Sequence, residues 1–210
     1  MTKLILARHG ETVWNVEKIY RGRTDVNLDE VGIKQAELLG KYLSNWELEA
    51  IYSSPLRRAL DTANIIAHYQ KIGVHIVEGL IDFDYGEWQS LPEQEVKRLY
   101  QALLNEWHHN PHKVIMPGGE SLEDVSKRAI EVVNDVLSKY QGGVVLVSHR
   151  VVNKVLICSL LGLDNSYFWN IKQDVGGITI FNYVDGRFVL TKHNDTSHLR
   201  ELQKSVLDDF

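Results

Sequence analysis

The chain carries one cysteine, Cys158. No disulfide can form within it, which is the pattern expected of a protein kept in a reducing cytoplasm. Cys158 lies in the apolar stretch VLICSLL and reads as a small core residue rather than a nucleophile. Long apolar runs are missing as well. The longest, around Val155 to Leu163, falls far short of the roughly 20 residues that cross a bilayer. Lys3 leads straight into a short strand-like run, so no secretory leader is read at the start of the chain. Positive charge is not in excess either. The net charge of -5 provides no global footprint for nucleic acid or an anionic membrane, so any anion site must be local. Neither a Walker A loop nor a GxGxxG loop is present, which leaves a nucleotide cradle without support. Repeats and low-complexity segments are absent too. The 210 residues suffice for one domain with a proper core.

What the chain does have is an alternation of β-type runs and amphipathic helical patterns. Strands are predicted at Lys3–Ala7, Ala50–Ser53, Val74–Val77, Gly143–Ser148, Ile178–Tyr183 and Phe188–His193. Helices are predicted from Asp29 to about Ser44, from Arg57 to Tyr69, from Pro92 to Trp107, from Ser121 onward, and from Val151 to Leu161, with Gly162 as the stop. Ser121 and Asp124 resemble a capping box, and the Asp-Gly in YVDGRF marks a late hairpin. The alternation predicts an α/β fold: a mostly parallel central sheet with helices on both faces.

Ligands of open α/β sheets bind beyond the carboxyl ends of the strands. Those ends carry Arg8 and His9, then Arg57 and Arg58, then Asp82 and Asp84, then His149 and Arg150. Two imidazoles, several guanidiniums and a carboxylic acid suit phosphoryl transfer through a histidine. A neutral imidazole is a competent nucleophile near neutral pH. Guanidinium forks match phosphate oxygens and neutralise charge that builds on the transferring group. A carboxylic acid can protonate the departing alkoxide, provided that its surroundings keep its proton on. HHNPH, with His108, His109 and His112, raises a metal reading. Asn110-Pro111 should end the helix there, so the three would not share one helical face.

ARHGETVWN, SSPLRRALDTA, GLIDFDYGEW, PGGESLEDVSKR and VLVSHR, in that order and over nearly the whole chain, resemble the histidine phosphatase superfamily, also called phosphoglycerate-mutase-like. The resemblance implies one domain over 1–210, three α/β/α layers, and an acid loop with a small helical cap at about 82–120. It implies that His9 is the nucleophile and forms a phosphohistidine, that Arg8, Arg58 and His149 hold the phosphate, and that Asn15 is a further donor. The family's proton donor falls at Asp82, where glutamate is commoner; Asp84 is the alternative. Arg150 stands where a small residue or threonine is typical, and either adds a cation near the substrate or points away. Arg21, in YRGRTDVNL, and Glu120, in PGGES, are candidate contacts beyond the phosphate. The implied activity is hydrolysis of small phosphomonoesters, phosphoserine among them, with no metal or other cofactor. Two alternatives are a cofactor-dependent phosphoglycerate mutase, which usually has a longer insertion before GGES, and an α-ribazole phosphatase. A third, from another class, is a binding module that merely keeps the phosphate pocket. The expected partner is a small-molecule substrate in the cytoplasm, not nucleic acid or a membrane. A homodimer through late aromatics such as Trp169 or the tail from Leu199 is left open.

Overall fold

The computed structural model of the protein describes residues 1–202. Most of the C-terminal tail named above as a dimer element, 203–210, lies outside the described residues. In chain order the elements are β1 (Thr2–Arg8), α1 (Val13–Val16), α2 (Glu30–Leu43), β2 (Leu48–Ser53), α3 (Arg57–Gln70), β3 (Val74–Ile76), α4 (Glu93–Leu99), α5 (Gln101–His109), α6 (Leu122–Lys139), β4 (Gly143–Ser148), α7 (Arg150–Leu160), β5 (Ile178–Val184) and β6 (Arg187–Asp195).

One 6-stranded sheet runs in the order β3-β2-β4-β1-β5-β6. The first four of these strands are parallel, while β5 and β6 pair antiparallel. The period-two alternation of side chains sorts the core into two layers. Leu4, Leu6, Val144 and Leu146 face α6 and α7, whereas Ile5, Ala7, Val145 and Val147 face α2 and α3. Helices therefore cover both faces, as the alternation predicts. Among the described residues no helix is long and apolar enough to cross a membrane.

The helix starts follow their caps. Asp29 accepts from Gly32 N at 2.8 Å at the head of α2. At the head of α6, Ser121 Oγ accepts from Asp124 N at 3.2 Å while the Asp124 carboxylate accepts from Ser121 N at 2.9 Å. The helix expected over Pro92 to Trp107 is instead two. Tyr100, at φ -129 and ψ 35, breaks it into α4 and α5. Its hydroxyl donates to Glu87 at 2.9 Å and its ring lies 6.0 Å from Trp88. That tertiary anchoring accompanies a break which helical periodicity cannot reveal. The cap so formed closes on the core through Trp88 and Trp107, both buried.

The strand order has a functional consequence. β4 lies between β1 and β2, so a topological switch point falls at β1/β4, where α/β folds bind ligands. The register pairs Arg8 with Ser148, and His9 N donates to Ser148 O at 3.1 Å. One residue past each strand end, His9 and His149 therefore face each other.

Candidate active site

The two imidazoles lie with ring centroids 5.1 Å apart, at 59°. Their exposure is 1 % for His9 and 0 % for His149. Burial pushes both well below the ordinary histidine value, and the Arg58 charge adds to it. Both rings are therefore neutral near pH 7. A hydrogen bond settles where His9 carries its proton. His9 Nδ1 donates to the Gly10 carbonyl at 2.6 Å. A carbonyl can only accept, so Nδ1 holds the hydrogen and Nε2 holds the lone pair. Ser54 Oγ accepts from Leu56 N at 3.3 Å and lies 2.8 Å from His149 Nε2. Either atom can donate across that bond. His149 Nδ1 is 3.5 Å from Asp82 Oδ2.

Two fully buried guanidiniums accompany the imidazoles. Arg8 ends β1 and donates to the Gln173 carbonyl at 2.7 Å. Arg58, in the first turn of α3, donates to Gly22 O at 2.7 Å, Thr24 O at 2.9 Å and Asp82 Oδ2 at 2.9 Å. Buried charges persist only when paired and hydrogen-bonded, and the carbonyl of Gly22 and the carboxylate of Asp82 meet that need for Arg58. The structure thus brings together Arg8, His9, Arg58, Asp82 and His149.

Backbone packing fixes the loop that carries His9. A Cβ on Gly10 would lie 2.3 Å from Gly32 O, and one on Gly32 would lie 2.1 Å from Glu11 O. Only glycine at both places lets the start of α2 press against the end of β1. Gly10 N also donates to Thr62 Oγ1 at 3.2 Å. Asn15 is buried beside this loop, its carbonyl accepting from Thr12 N at 3.0 Å and Thr12 Oγ1 at 2.9 Å.

The other predicted residues divide into two groups. Arg21 and Arg150 line a narrow cleft together with Tyr20, Gly22, Tyr85 and Asp82. Asp84 and Glu120 belong instead to an ionic clamp. Asp84 Oδ1 accepts from Gly86 N at 2.8 Å, and its other oxygen is 3.5 Å from Arg23. Glu120 binds Arg23 at 2.7 Å and Arg128 at 3.1 Å, and accepts from Asp84 N at 3.0 Å. Arg128 then donates to Gly79 O at 2.9 Å, Ile81 O at 2.6 Å and Asp82 O at 3.2 Å. The clamp holds the backbone of the loop that carries Asp82. Arg57 is exposed and pairs with Asp25 at 3.3 Å.

Ser54, Gln173, Arg23 and Arg128 were not singled out from sequence. Ser54 stands at the end of a predicted strand, which was the available signal. Gln173 contributes a carbonyl to Arg8, which no side-chain pattern encodes. The expected helix end at Asn110-Pro111 is found. His109 Nδ1 bonds to Asn105 O at 2.7 Å, and the His108 ring packs on Trp169 at 5.6 Å. Cys158 is buried in α7, and burial pushes its thiol up to about 11.

Comparison with known proteins places this geometry. The family model described as histidine phosphatase superfamily (branch 1) matches residues 4–196. Phosphoserine phosphatase 1 of Hydrogenobacter thermophilus is 39% identical over 202 residues, covering 96% of each chain. A phosphoserine phosphatase mutant from Entamoeba histolytica, solved in complex with phosphoserine, superposes with a TM-score of 0.84 at 33% identity, covering 95% of this chain and 100% of that one. Bacillus stearothermophilus YhfR superposes with a TM-score of 0.90 at 33% identity, again over 95% of this chain and 100% of its own. The chain belongs to the histidine phosphatase superfamily, branch 1, and is a phosphoric monoester hydrolase.

Proposed function

We propose that this chain hydrolyses small phosphomonoesters in two steps, with the phosphoryl group carried on His9 Nε2 and phosphoserine as the first substrate to test. The observation that carries the reading is the pair of buried neutral imidazoles, 5.1 Å apart, set among the guanidiniums of Arg8 and Arg58 with Asp82 alongside. In the first step the Nε2 lone pair attacks phosphorus and the bond to the ester oxygen breaks. Asp82 gives its proton to the departing oxygen, so the alcohol leaves neutral. In the second step Asp82 takes a proton from water, the oxygen attacks phosphorus, and the P–N bond breaks. Phosphate and neutral His9 are regenerated.

In this reading Arg8, Arg58 and His149 donate to the phosphoryl oxygens, and Asn15 adds its amide donor. Their charge and hydrogen bonds count most as charge spreads over those oxygens in the transition state. Asp84 and Glu120 serve at one remove, by holding the acid loop. The reading is of one domain acting without a metal, on a soluble substrate in the cytoplasm. Phosphoserine is favoured by the likeness to the phosphoserine phosphatases of Hydrogenobacter thermophilus and Entamoeba histolytica. Initial rates of phosphate release in excess chelator, over phosphoserine, 3-phosphoglycerate, α-ribazole phosphate and sugar phosphates, test it. Release from phosphoserine at the highest kcat/KM is expected. No release from any of them, or isomerisation of 3-phosphoglycerate only when a bisphosphate is added, would overturn it.

A further inference from the structure

We infer that the cleft beyond Asp82 is a carboxylate-recognition subsite, in which Arg150 and Arg21 select phosphomonoesters whose alcohol carries a carboxylate. This rests on the proposed roles of His9 and Asp82. The acid must touch the ester oxygen, so the rest of the alcohol extends from Asp82 away from Arg8 and Arg58. The cleft there is lined by Ile19, Tyr20, Arg21, Gly22, Tyr85, Arg150 and Val151 beside Asp82 itself. Two guanidiniums and two phenols face whatever leaves.

Both arginines are held in place. Arg150 opens α7 directly after His149, at a helix N-terminus where anions are favoured. Its guanidinium sits over the Trp169 ring, 5.8 Å from the centroid. That indole in turn donates to Trp107 O at 2.6 Å. Arg21 is pinned on both sides. Tyr20 N donates to Leu91 O at 3.0 Å, and Gly22 O accepts from Arg58 at 2.7 Å. The Arg21 charge is also among those that push both catalytic imidazoles down, which places it within electrostatic reach of the reacting phosphate. Guanidinium forks pair with carboxylates bidentately.

The cleft also shows what it does not read. Among the described residues lining it, Asp82 is the one acid, and Asp82 is engaged by Arg58 and assigned to proton transfer. A substrate ammonium group therefore finds no dedicated anion. Selectivity should follow the carboxylate of an amino or hydroxy acid phosphate, with the amino group nearly indifferent.

The test compares kcat/KM for phosphoserine and 3-phosphoglycerate against phosphoethanolamine and glycerol 3-phosphate. The two carboxylates should lead by about 10- to 100-fold, the scale of one charged hydrogen bond, whether or not an ammonium is present. Arg150→Gln and Arg21→Gln should each pull that ratio toward one, and Arg150→Lys should retain part of it. A wild-type ratio near one, a preference that tracks the ammonium, or a ratio unchanged in both Gln variants would overturn the inference. If a Gln variant fails to fold, the wild-type ratios still decide. Alkaline-quenched labelling of His9 with radiolabelled p-nitrophenyl phosphate separates the two levels. Labelling with a flat ratio sinks the subsite alone, whereas no phosphoenzyme sinks the mechanism and the subsite together.

Discussion

Keeping two imidazoles neutral in the core has a cost that pH exposes. In the unfolded chain each histidine titrates at about 6.5. In the folded chain burial, helped by Arg58, holds His9 and His149 well below that. Between those limits the unfolded chain binds protons that the folded one refuses, so stability falls as pH falls. Their contribution is complete above about pH 6.5 and is lost on the way down toward the folded values. Each ring supplies a limiting slope of about 1.4 kcal/mol per pH unit, and both together about 2.7. From pH 6.5 to pH 5 the upper bound is roughly 4 kcal/mol, a large part of an ordinary net stability of about 5–15 kcal/mol. Other histidines, including His108, His193 and His198, are pushed down by partial burial too. The decisive quantity is therefore a difference. Urea unfolding curves at several pH values between about 5 and 7 should give a slope for His9→Gln shallower than wild type by up to about 1.4 kcal/mol per pH unit. Equal slopes would mean that folded His9 accepts a proton as readily as the unfolded chain does. The burial that is held to exclude a proton from His9 would then be refuted.

Three other substitutions probe separate parts of the site. Arg58→Ala should lower kcat/KM for phosphate release by about 10²- to 10³-fold, the scale of losing one preorganised donor; an unchanged value removes Arg58 from the transition state. Gly10→Ala places a methyl 2.3 Å from the Gly32 carbonyl. With backbone on the opposing side, the start of α2 must move, at a cost of about 1–3 kcal/mol. A thermal melt at the wild-type midpoint would contradict that packing. Ser54→Ala removes the partner of His149 Nε2 and should reduce kcat by several-fold, on the order of 1 kcal/mol, with KM nearly constant. An unaltered kcat would show that the ring is oriented without Ser54.

Much of this was legible in the sequence because local patterns encode it. Short apolar runs and helical periods gave the six strands of the sheet and the main helices. The RHG and SH motifs sit at strand ends because parallel α/β strands deliver their ligands there. The break at Tyr100 was not legible, since it accompanies an anchor on Glu87 and Trp88 made by folding. Asp82 and Asp84 differ in their partners only once the chain is folded. Asp82 meets Arg58 and His149, whereas Asp84 turns to Arg23 and the Gly86 amide. Arg23 and Arg128 read as ordinary helix or loop charges until the clamp on residues 79–82 brings them together. Sequence spacing marked where chemistry collects, but which side chains touch, and which carry a proton, depended on packing between distant segments.

The most direct test of the account is rapid quenching of the wild-type protein during turnover of labelled phosphoserine, followed by peptide mapping. The account predicts an acid-labile, base-stable phosphoryl group on the peptide bearing His9, formed and lost at rates compatible with turnover and absent from His9→Ala. Label on another residue, or turnover with no phosphoenzyme while His9→Ala stays active, would contradict it.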